Sequence, residues 1–239
     1  MKYIIANWKM NGSIELAHQF INELNPLKTE NKIVVCPPAV LIQSFKGFRH
    51  GLGAQNCFYE ESGAFTGENS PKLLKEIGCQ YVLIGHSERR TLFGETSDIV
   101  FKKYAAATQQ QLIPIICIGE KLEERDRWKE VLKEQLEKYI RGLSSDVQTI
   151  FAYEPLWSIG SGVVPTTEEI EKVADFLKNY LCIKVNYPIL YGGSVSPNNS
   201  AEILNCKGID GVLVGGASLV LEKFKKIINS HDKIYKTLT

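Results

Sequence analysis

An acidic residue that ends an apolar segment and precedes a flexible loop is the clearest chemical feature of this sequence. Glu154 follows Ala152-Tyr153, and Pro155 stiffens the start of the loop. Two glycines further along, Gly160 and Gly162, allow backbone N–H groups to approach a ligand closely. A carboxylate beneath a loop that can close predicts proton transfer in a site protected from water.

This loop is predicted to be a lid, a segment that closes over a bound ligand. Trp157 and Ile159 give it apolar side chains that can pack when it moves. A surface glutamate before an ordinary turn is the alternative for an isolated Glu-Pro pair, and the residues at the other strand ends argue against it. The predicted lid consists of Pro155, Leu156, Trp157, Ser158, Ile159, Gly160, Ser161, Gly162, Val163, Val164 and Pro165.

Other residues suited to catalysis or ligand binding also follow apolar segments. Lys9 comes after the first segment and His86 after the fourth, while glycine-rich turns end the seventh, Tyr191–Ser194, and the eighth, Gly215–Ser218. If these segments are the strands of one parallel barrel, their carboxyl ends meet on one rim. There, Lys9 would supply a positive charge to an anionic substrate, and the last turn would bind phosphate through backbone N–H groups.

Taken alone, Lys9 would be interpreted as a surface lysine and His86 as a structural histidine. The residues after the histidine, Ser87-Glu88-Arg89-Arg90, are able to open a helical turn. The N–H groups of that turn would keep the imidazole neutral and leave its other nitrogen as a hydrogen-bond donor.

Length and charge restrict the class of protein. The chain has 239 residues, 44% of them hydrophobic, which suits one domain over residues 1–239 and lies near the ~250 residues of a barrel. The chain has 28 basic and 27 acidic residues, so it has no large net positive charge to attract nucleic acid or an anionic membrane. No signal peptide or long apolar span is evident, so a soluble cytoplasmic protein is expected. Scattered cysteines indicate a reducing compartment: Cys36, Cys57, Cys79, Cys117, Cys182 and Cys206.

Eight short apolar segments alternate with helical patterns, which predicts parallel strands joined by crossover helices. Each segment is apolar throughout, as expected for strands buried on both faces. Eight units favour a closed (β/α)8 barrel with eight surrounding helices over an open doubly wound sheet, which usually has five or six strands. The predicted strands are Tyr3–Ala6, Lys32–Cys36, Leu52–Gln55, Tyr81–Ile84, Ile113–Ile118, Thr149–Tyr153, Ile189–Tyr191 and Gly211–Val214.

Several helices carry start signals. Thr166–Glu169 fits a capping box, and Ser70-Pro71 and Ser196-Pro197 fit a cap followed by a proline in the first turn. The charged stretch from Glu120 to Arg141 is predicted to contain an amphipathic helix. Its apolar face comprises Trp128, Val131, Leu132, Leu136 and Ile140.

Eight short motifs occur along the sequence, at Asn7–Gly12, Ala54–Asn56, Gly63–Glu68, Gly85–Arg90, Cys117–Glu120, Ala152–Pro155, Tyr191–Val195 and Val214–Ser218. In their order and spacing these motifs resemble the triosephosphate isomerase family over the whole length of the chain. The resemblance implies the interconversion of dihydroxyacetone phosphate and D-glyceraldehyde 3-phosphate, a step of glycolysis and gluconeogenesis. It also implies that no metal or organic cofactor is needed.

Roles for the reactive residues follow from the same resemblance. Glu154 would remove the proton beside the carbonyl, and neutral His86 would polarise the carbonyl and move protons between the oxygens of the enediolate. Lys9 would stabilise the developing negative charge. Asn7 would line the pocket beside it, and Glu88 would orient the lysine from behind.

The resemblance further implies how the substrate is held. Backbone groups at Gly160, Ser194, Gly215 and Gly216 would bind the phosphate, and the lid would protect the enediolate from loss of phosphate. Tyr191 and Ser194 resemble the residues that latch the closed lid.

One segment departs from the family pattern, and another implies a partner. The far end of the lid reads Val163-Val164-Pro165, where the family commonly has Lys-Thr-Ala, so how easily this hinge moves is an open question.

The long connection Asn56–Asn69 resembles the family's interface loop, and its tip, Phe65-Thr66-Gly67, would dock beside Asn7 and Lys9 of a second subunit. A homodimer is therefore expected.

Two other functions are alternatives to this one. A different phosphate-binding barrel, such as a sugar-phosphate isomerase or a Schiff-base aldolase, is one; such an aldolase requires a lysine within a strand, whereas Lys9 lies just past the first. The other is a non-catalytic phosphosugar-binding protein on the same barrel, which would have no need of Glu154 beneath an intact lid.

Overall fold

Eight parallel strands form a closed barrel in the computed structural model, which describes residues 1–142, 147–161, 163–181 and 186–235. Each strand pairs in parallel with the next, and the last pairs with the first. The predicted fold class is therefore confirmed, with strand ends shifted by at most one residue. The strands are β1 (Tyr3–Asn7), β2 (Lys32–Cys36), β3 (Gly51–Ala54), β4 (Tyr81–Ile84), β5 (Ile113–Ile118), β6 (Ile150–Tyr153), β7 (Ile189–Tyr191) and β8 (Gly211–Val214).

Helices surround the barrel, but their distribution is less regular than one per strand. In the described part of the chain, β2 is followed by a 3-10 helix, Ala39–Phe45, whereas two α-helices follow β4. The α-helices are α1 (Ile14–Leu24), α2 (Pro71–Glu76), α3 (Ser87–Leu92), α4 (Ser97–Gln109), α5 (Trp128–Gly142), α6 (Thr167–Leu181), α7 (Ser200–Asn205) and α8 (Leu221–Tyr235).

Two of the three predicted helix starts are confirmed. The Thr166 N–H donates to Glu169 Oε2, and the Glu169 N–H donates to Thr166 Oγ1, which completes the capping box of α6. Ser70 caps α2 with a proline in its first turn. The start at Ser196-Pro197 was wrong, because residues 197–199 form a turn and α7 begins only at Ser200, although the Ser196 hydroxyl accepts the Asn198 N–H as a helix cap would.

Strand side chains alternate between two buried clusters, which explains why the strands are apolar throughout. On β1, Tyr3 and Ile5 belong to a cluster made of strand residues alone, which fills the barrel interior. Ile4 and Ala6 belong to the larger cluster that packs against the helices. Strand residues are therefore buried on both faces, and the polar groups of the barrel are confined to its rims.

The described cysteines are buried and unpaired, as expected of thiols that pack as small apolar side chains. Burial raises the pKa of the Cys79 thiol to about 12 and that of Cys206 to about 11, so both stay protonated at neutral pH. Cys182 lies outside the described residues, as does Gly162 of the lid. Among the described helices, none is long and apolar enough to cross a membrane.

Candidate active site

A cavity of about 300 Å³ opens at the carboxyl ends of the strands, the rim at which the sequence places the reactive residues. Glu88 and Tyr191 do not line the cavity themselves but contact residues that do. The lining comprises Asn7, Lys9, His86, Glu154, Ile159, Gly160, Val164, Gly192, Gly193, Ser194, Val195, Ser196, Asn199, Leu213, Gly215 and Gly216.

Glu154 and His86 meet at the bottom of this cavity, although 67 residues separate them in the sequence. Glu154 follows β6 and is 1% exposed; His86 follows β4 and is 7% exposed. The Ser87 N–H donates to Glu154 Oε2 over 3.0 Å. Glu154 Oε1 lies 3.2 Å from His86 Nε2, and in the described part of the chain no hydrogen bond reaches that oxygen. Oε1 is thus a buried acceptor that lies beside Nε2 but makes no well-aligned hydrogen bond.

The histidine ring is oriented by the first turn of α3. His86 caps this helix, and its Nδ1 accepts the Glu88 N–H at 3.3 Å. Since Nδ1 accepts, the proton of a neutral ring resides on Nε2, the nitrogen beside Glu154. Nδ1 also lies 3.6 Å from Glu88 Oε2, which is too long for a hydrogen bond.

Lys9 adopts an unusual backbone conformation that its neighbours stabilise. Its φ of 53° lies in the left-handed region, which costs a non-glycine residue roughly 1–2 kcal/mol. The Asn7 side chain accepts the Lys9 N–H at 3.0 Å, and the Gln55 amide donates to the Lys9 carbonyl at 2.8 Å. Glu88 Oε1 accepts the Lys9 ammonium at 2.7 Å. The charged end of the lysine is thereby fixed over the cavity.

Two glycines give Glu154 the space it occupies. A Cβ atom at Gly119 would lie 1.8 Å from the Glu154 carbonyl oxygen, and one at Gly192 would lie 2.9 Å from Glu154 Cγ. Since real Cβ atoms essentially never lie under 3.0 Å from another heavy atom, both positions require glycine for packing reasons. The sequence shows both glycines within motifs but not their contact with Glu154.

Glu120 contacts the start of the predicted lid, a contact that the sequence analysis missed. It follows β5 and is 1% exposed, and its Oε1 accepts the Trp157 indole N–H at 2.9 Å and the Tyr153 hydroxyl at 3.0 Å. Burial raises the pKa of the Glu120 carboxyl, and the two hydrogen bonds oppose that rise. Its position at a strand end, within a motif already recognised, was the signal that could have identified it.

The glycine-rich turn after β8 borders the cavity opposite Glu154. A four-residue 3-10 helix, Gly216–Leu219, begins there, and α8 follows it. The expected helical turn is therefore present, although it is a 3-10 helix. Ser218 closes the turn by donating its N–H and its hydroxyl to the Gly215 carbonyl.

Comparison with known proteins identifies the family. A family profile described as triosephosphate isomerase matches residues 2–231. The chain belongs to the triosephosphate isomerase family. The triosephosphate isomerase of Finegoldia magna is 40% identical over 243 residues, covering 95% of this chain and 97% of the relative. That of Thermoanaerobacter pseudethanolicus is 43% identical over 242 residues, covering 95% and 98%. The chain is therefore an enzyme, an isomerase that acts on triose phosphates.

A second cavity, of about 280 Å³, also borders Lys9. It lies next to exposed apolar side chains, among them Met10 and Phe93. The loop Asn56–Asn69 is closed at its base by the Phe58 N–H, which donates to the Asn69 carbonyl at 2.8 Å. The tip of that loop carries Phe65, 42% exposed.

Proposed function

We propose that Glu154, His86 and Lys9 carry out the interconversion of dihydroxyacetone phosphate and D-glyceraldehyde 3-phosphate through an enediolate. The observation that carries this proposal is the buried Glu154 carboxylate, which faces the cavity 3.2 Å from a histidine nitrogen. Deep burial of a carboxylate costs free energy, so its free Oε1 is best explained by a role as proton acceptor.

Each of these three side chains supplies one part of the chemistry. Glu154 takes the proton from the carbon beside the carbonyl and returns it to the neighbouring carbon. The neutral His86 ring donates from Nε2 to the carbonyl oxygen and then moves protons between the two enediolate oxygens. Lys9 stabilises the negative charge that develops there, and its ammonium is kept in place by Glu88. Asn7 borders the cavity and supports the lysine backbone.

The phosphate is bound at the far end of the cavity by groups that carry little charge. Gly215 and Gly216 supply backbone at the start of a helical turn, and Ser194 and Gly160 border the same space. Closure of the lid over this end excludes water while the enediolate exists. Tyr191 and Ser194, which both contact Ser158 of the lid, latch it.

Solvent labelling tests the reaction and separates it from its alternatives. Glyceraldehyde 3-phosphate incubated with the enzyme in D2O should give dihydroxyacetone phosphate with deuterium at the carbon next to the carbonyl. A Schiff-base aldolase would instead be trapped on a lysine by borohydride. A binding protein would bind the substrate without turnover. Either of these two results would reject the proposed function.

We also propose that the enzyme is a homodimer, with the tip Phe65-Thr66-Gly67 of one subunit in the second cavity of the other. Two observations support this arrangement. The loop Asn56–Asn69 is closed by its own hydrogen bond and carries an exposed aromatic side chain at its tip, and the second cavity, beside Lys9, has apolar side chains at its edge. A cytoplasmic location and a single domain over residues 1–239 complete the proposal. No nucleic-acid or membrane partner is proposed, since basic and acidic residues nearly balance.

Deleting Phe65-Thr66-Gly67 should give monomers with poor activity. The tip would no longer form the neighbouring wall that orders Asn7 and Lys9, so the catalytic lysine would lose its fixed position. Sedimentation velocity and steady-state kinetics measure the two effects. Leu122→Asp, which places a charge at an exposed apolar residue outside the second cavity, is the control and should remain a dimer. A deleted protein that sediments as a dimer, or a fully active monomer, would reject this interface.

Replacing Val163-Val164-Pro165 by Lys-Thr-Ala should change the opening rate of the lid while moving kcat by no more than ~10-fold, about 1.4 kcal/mol. Pro165 is buried and fixes its own φ, and it biases Val164 toward extended conformations, so the present hinge bends little there. Relaxation-dispersion NMR of the Trp157 indole N–H measures the rate. Unchanged rates would place Pro165 outside the hinge.

A further inference from the structure

Gln135 is a polar residue on the side of α5 that faces the barrel. It is partly buried, and it lies four residues after Val131 and three after Leu132, both of which are buried in the core. Residues three and four apart share one face of an α-helix, so the glutamine side chain points toward the strands. A polar side chain in this position needs hydrogen-bond partners within the fold.

Those partners are the two backbone groups of Gly119, the first residue after β5. Gln135 Oε1 accepts the Gly119 N–H at 3.0 Å, and Gln135 Nε2 donates to the Gly119 carbonyl at 2.8 Å. Gly119 is buried and lies just past Ile118, the last residue of β5 that pairs with β6. One side-chain amide therefore satisfies both backbone groups of a buried residue at the end of the strand.

Gly119 in turn packs on the backbone of Glu154. A Cβ atom at this glycine would lie 1.8 Å from the Glu154 carbonyl oxygen and 2.6 Å from the carbonyl carbon. The residues on either side of the glycine hold the same segment. The Ile118 carbonyl accepts the Glu154 N–H at 2.7 Å, and the Glu120 carbonyl accepts the Leu156 N–H at 2.9 Å. Three consecutive residues thus support the backbone of Glu154, and the amide from α5 fixes the middle one.

This backbone support determines where the Glu154 carboxylate lies. Oε2 accepts the Ser87 N–H, whereas Oε1 makes no well-aligned hydrogen bond within the described chain. One hydrogen bond alone leaves a carboxylate free to rotate, so its position depends on the backbone that carries it. A displacement of Gly119 would therefore be passed on to the carboxylate through the contact between the two backbones.

We propose that Gln135 is a positioning residue for the isomerisation, which holds the backbone of Gly119 and thereby the Glu154 carboxylate in the place that proton transfer requires. This inference rests on the proposed role of Glu154 as the base. Gln135 is not among the residues that line the active-site cavity. It acts through the end of β5 and not on the substrate.

Gln135→Met should lower kcat about tenfold, because a ~1 Å misplacement of a reacting group costs ~100-fold and a smaller displacement costs less. Methionine has a similar length but no donor and only a weak acceptor, so both Gly119 groups lose their partners and the segment shifts. KM should stay within about twofold, since the phosphate end is formed by other segments and a loss confined to the transition state lowers kcat alone. Steady-state kinetics well below the melting temperature measure both constants.

Asn25→Leu is the matched control. The Asn25 amide makes the same kind of pair elsewhere, because it accepts the Arg49 N–H at 2.8 Å and donates to the Gly47 carbonyl at 3.0 Å. These groups precede β3, at the amino end of the barrel and outside the active-site cavity. The control should lower the melting temperature, as Gln135→Met does, while the folded enzyme keeps the kcat and KM of the parent.

A double variant with Glu154→Asp separates positioning from stability. If Gln135 acts through the position of the Glu154 carboxylate, Gln135→Met should cost less than about threefold in kcat once aspartate has already withdrawn that group. Substitutions that act independently multiply their effects instead. A tenfold loss that persists in the Glu154→Asp background would therefore overturn the role of Gln135.

The remaining outcomes separate this inference from the proposed function. A kcat of Gln135→Met within twofold of the parent, or an equal loss in Asn25→Leu, overturns the role of Gln135 alone. If Gln135→Met does not fold, Gln135→Glu, which keeps an acceptor for the Gly119 N–H but not the donor, is judged by the same criteria. A parent protein without isomerase activity, or a Glu154→Asp variant with the kcat of the parent, overturns the proposed base and this inference with it.

Discussion

Glu154→Asp should lower kcat by about 100-fold, or ~2.7 kcal/mol, with little change in KM. The shorter side chain keeps the charge but withdraws the carboxylate by about one bond length, and a ~1 Å misplacement of a reacting group costs this much. Gly119 and Gly192 pack directly against Glu154, so the backbone has no freedom to follow the shortened side chain. Steady-state kinetics in both directions of the reaction measure the loss.

Glu95→Asp is the control for shortening a buried carboxylate elsewhere. Glu95 is 6% exposed and is paired with Lys103 and Arg89, outside the cavity that holds Glu154. We expect the control to lower the melting temperature while kcat per folded enzyme changes only a few-fold. A loss of less than a few-fold in Glu154→Asp would mean that this residue is not the base.

The barrel was predictable because each of its strands can be recognised from its own residues, which are almost all apolar. An all-parallel strand is buried on both faces, so β5 and β8 are apolar throughout and their bounds follow from composition alone. The helix start at Ser196 was not predictable in this way. A serine before a proline is an equally good start for a turn, and here the Ser196 hydroxyl and the Asn199 side chain close such a turn with their own hydrogen bonds before the helix begins.

The position of the candidate site followed from topology, but its internal contacts did not. Once the strands are parallel, whatever follows each strand shares one rim, and this brings Lys9, His86 and Glu154 together. Which atoms touch depends on side-chain rotamers and on contacts far apart in the sequence. Gln55 on the Lys9 carbonyl and Glu120 on the Trp157 indole are examples of such contacts. Both residues lie within motifs of the sequence, Ala54–Asn56 and Cys117–Glu120, but no local pattern gives the contact that each one makes.

The proposed lid begins directly after the proposed base, so a change in one segment reaches the other. Glu154 and Pro155 are adjacent, and the Leu156 N–H donates to the Glu120 carbonyl at 2.9 Å. A substitution that moves the start of the lid therefore also moves the carboxylate. Changes in kcat and in phosphate affinity should be measured together, because only substitutions away from this start, such as those at Val163-Val164-Pro165, separate lid motion from proton transfer.

His86→Gln should lower kcat by about 10²–10⁴-fold, the range for loss of a positioned acid–base group, with a modest change in KM. Glutamine can still donate a hydrogen bond to the substrate, so binding is largely kept. Its amide N–H is too weakly acidic to be given up and taken back, so the proton transfer between the enediolate oxygens is lost. His50→Gln is the control, since His50 hydrogen-bonds the Leu24 carbonyl outside the cavity.

The protonation state of the His86 ring decides between two explanations of that loss. The Glu88 N–H points at Nδ1, so this nitrogen should be unprotonated and Nε2 should carry the single proton at neutral pH. Ring-nitrogen NMR of the free enzyme distinguishes the neutral ring from the imidazolium ion. A charged ring would mean that His86 acts as a cation beside Glu154, in which case His86→Lys should retain more activity than His86→Gln. With a neutral ring the order is reversed, because a lysine ammonium at 3.2 Å from Glu154 would pair with the base and hold it away from the substrate.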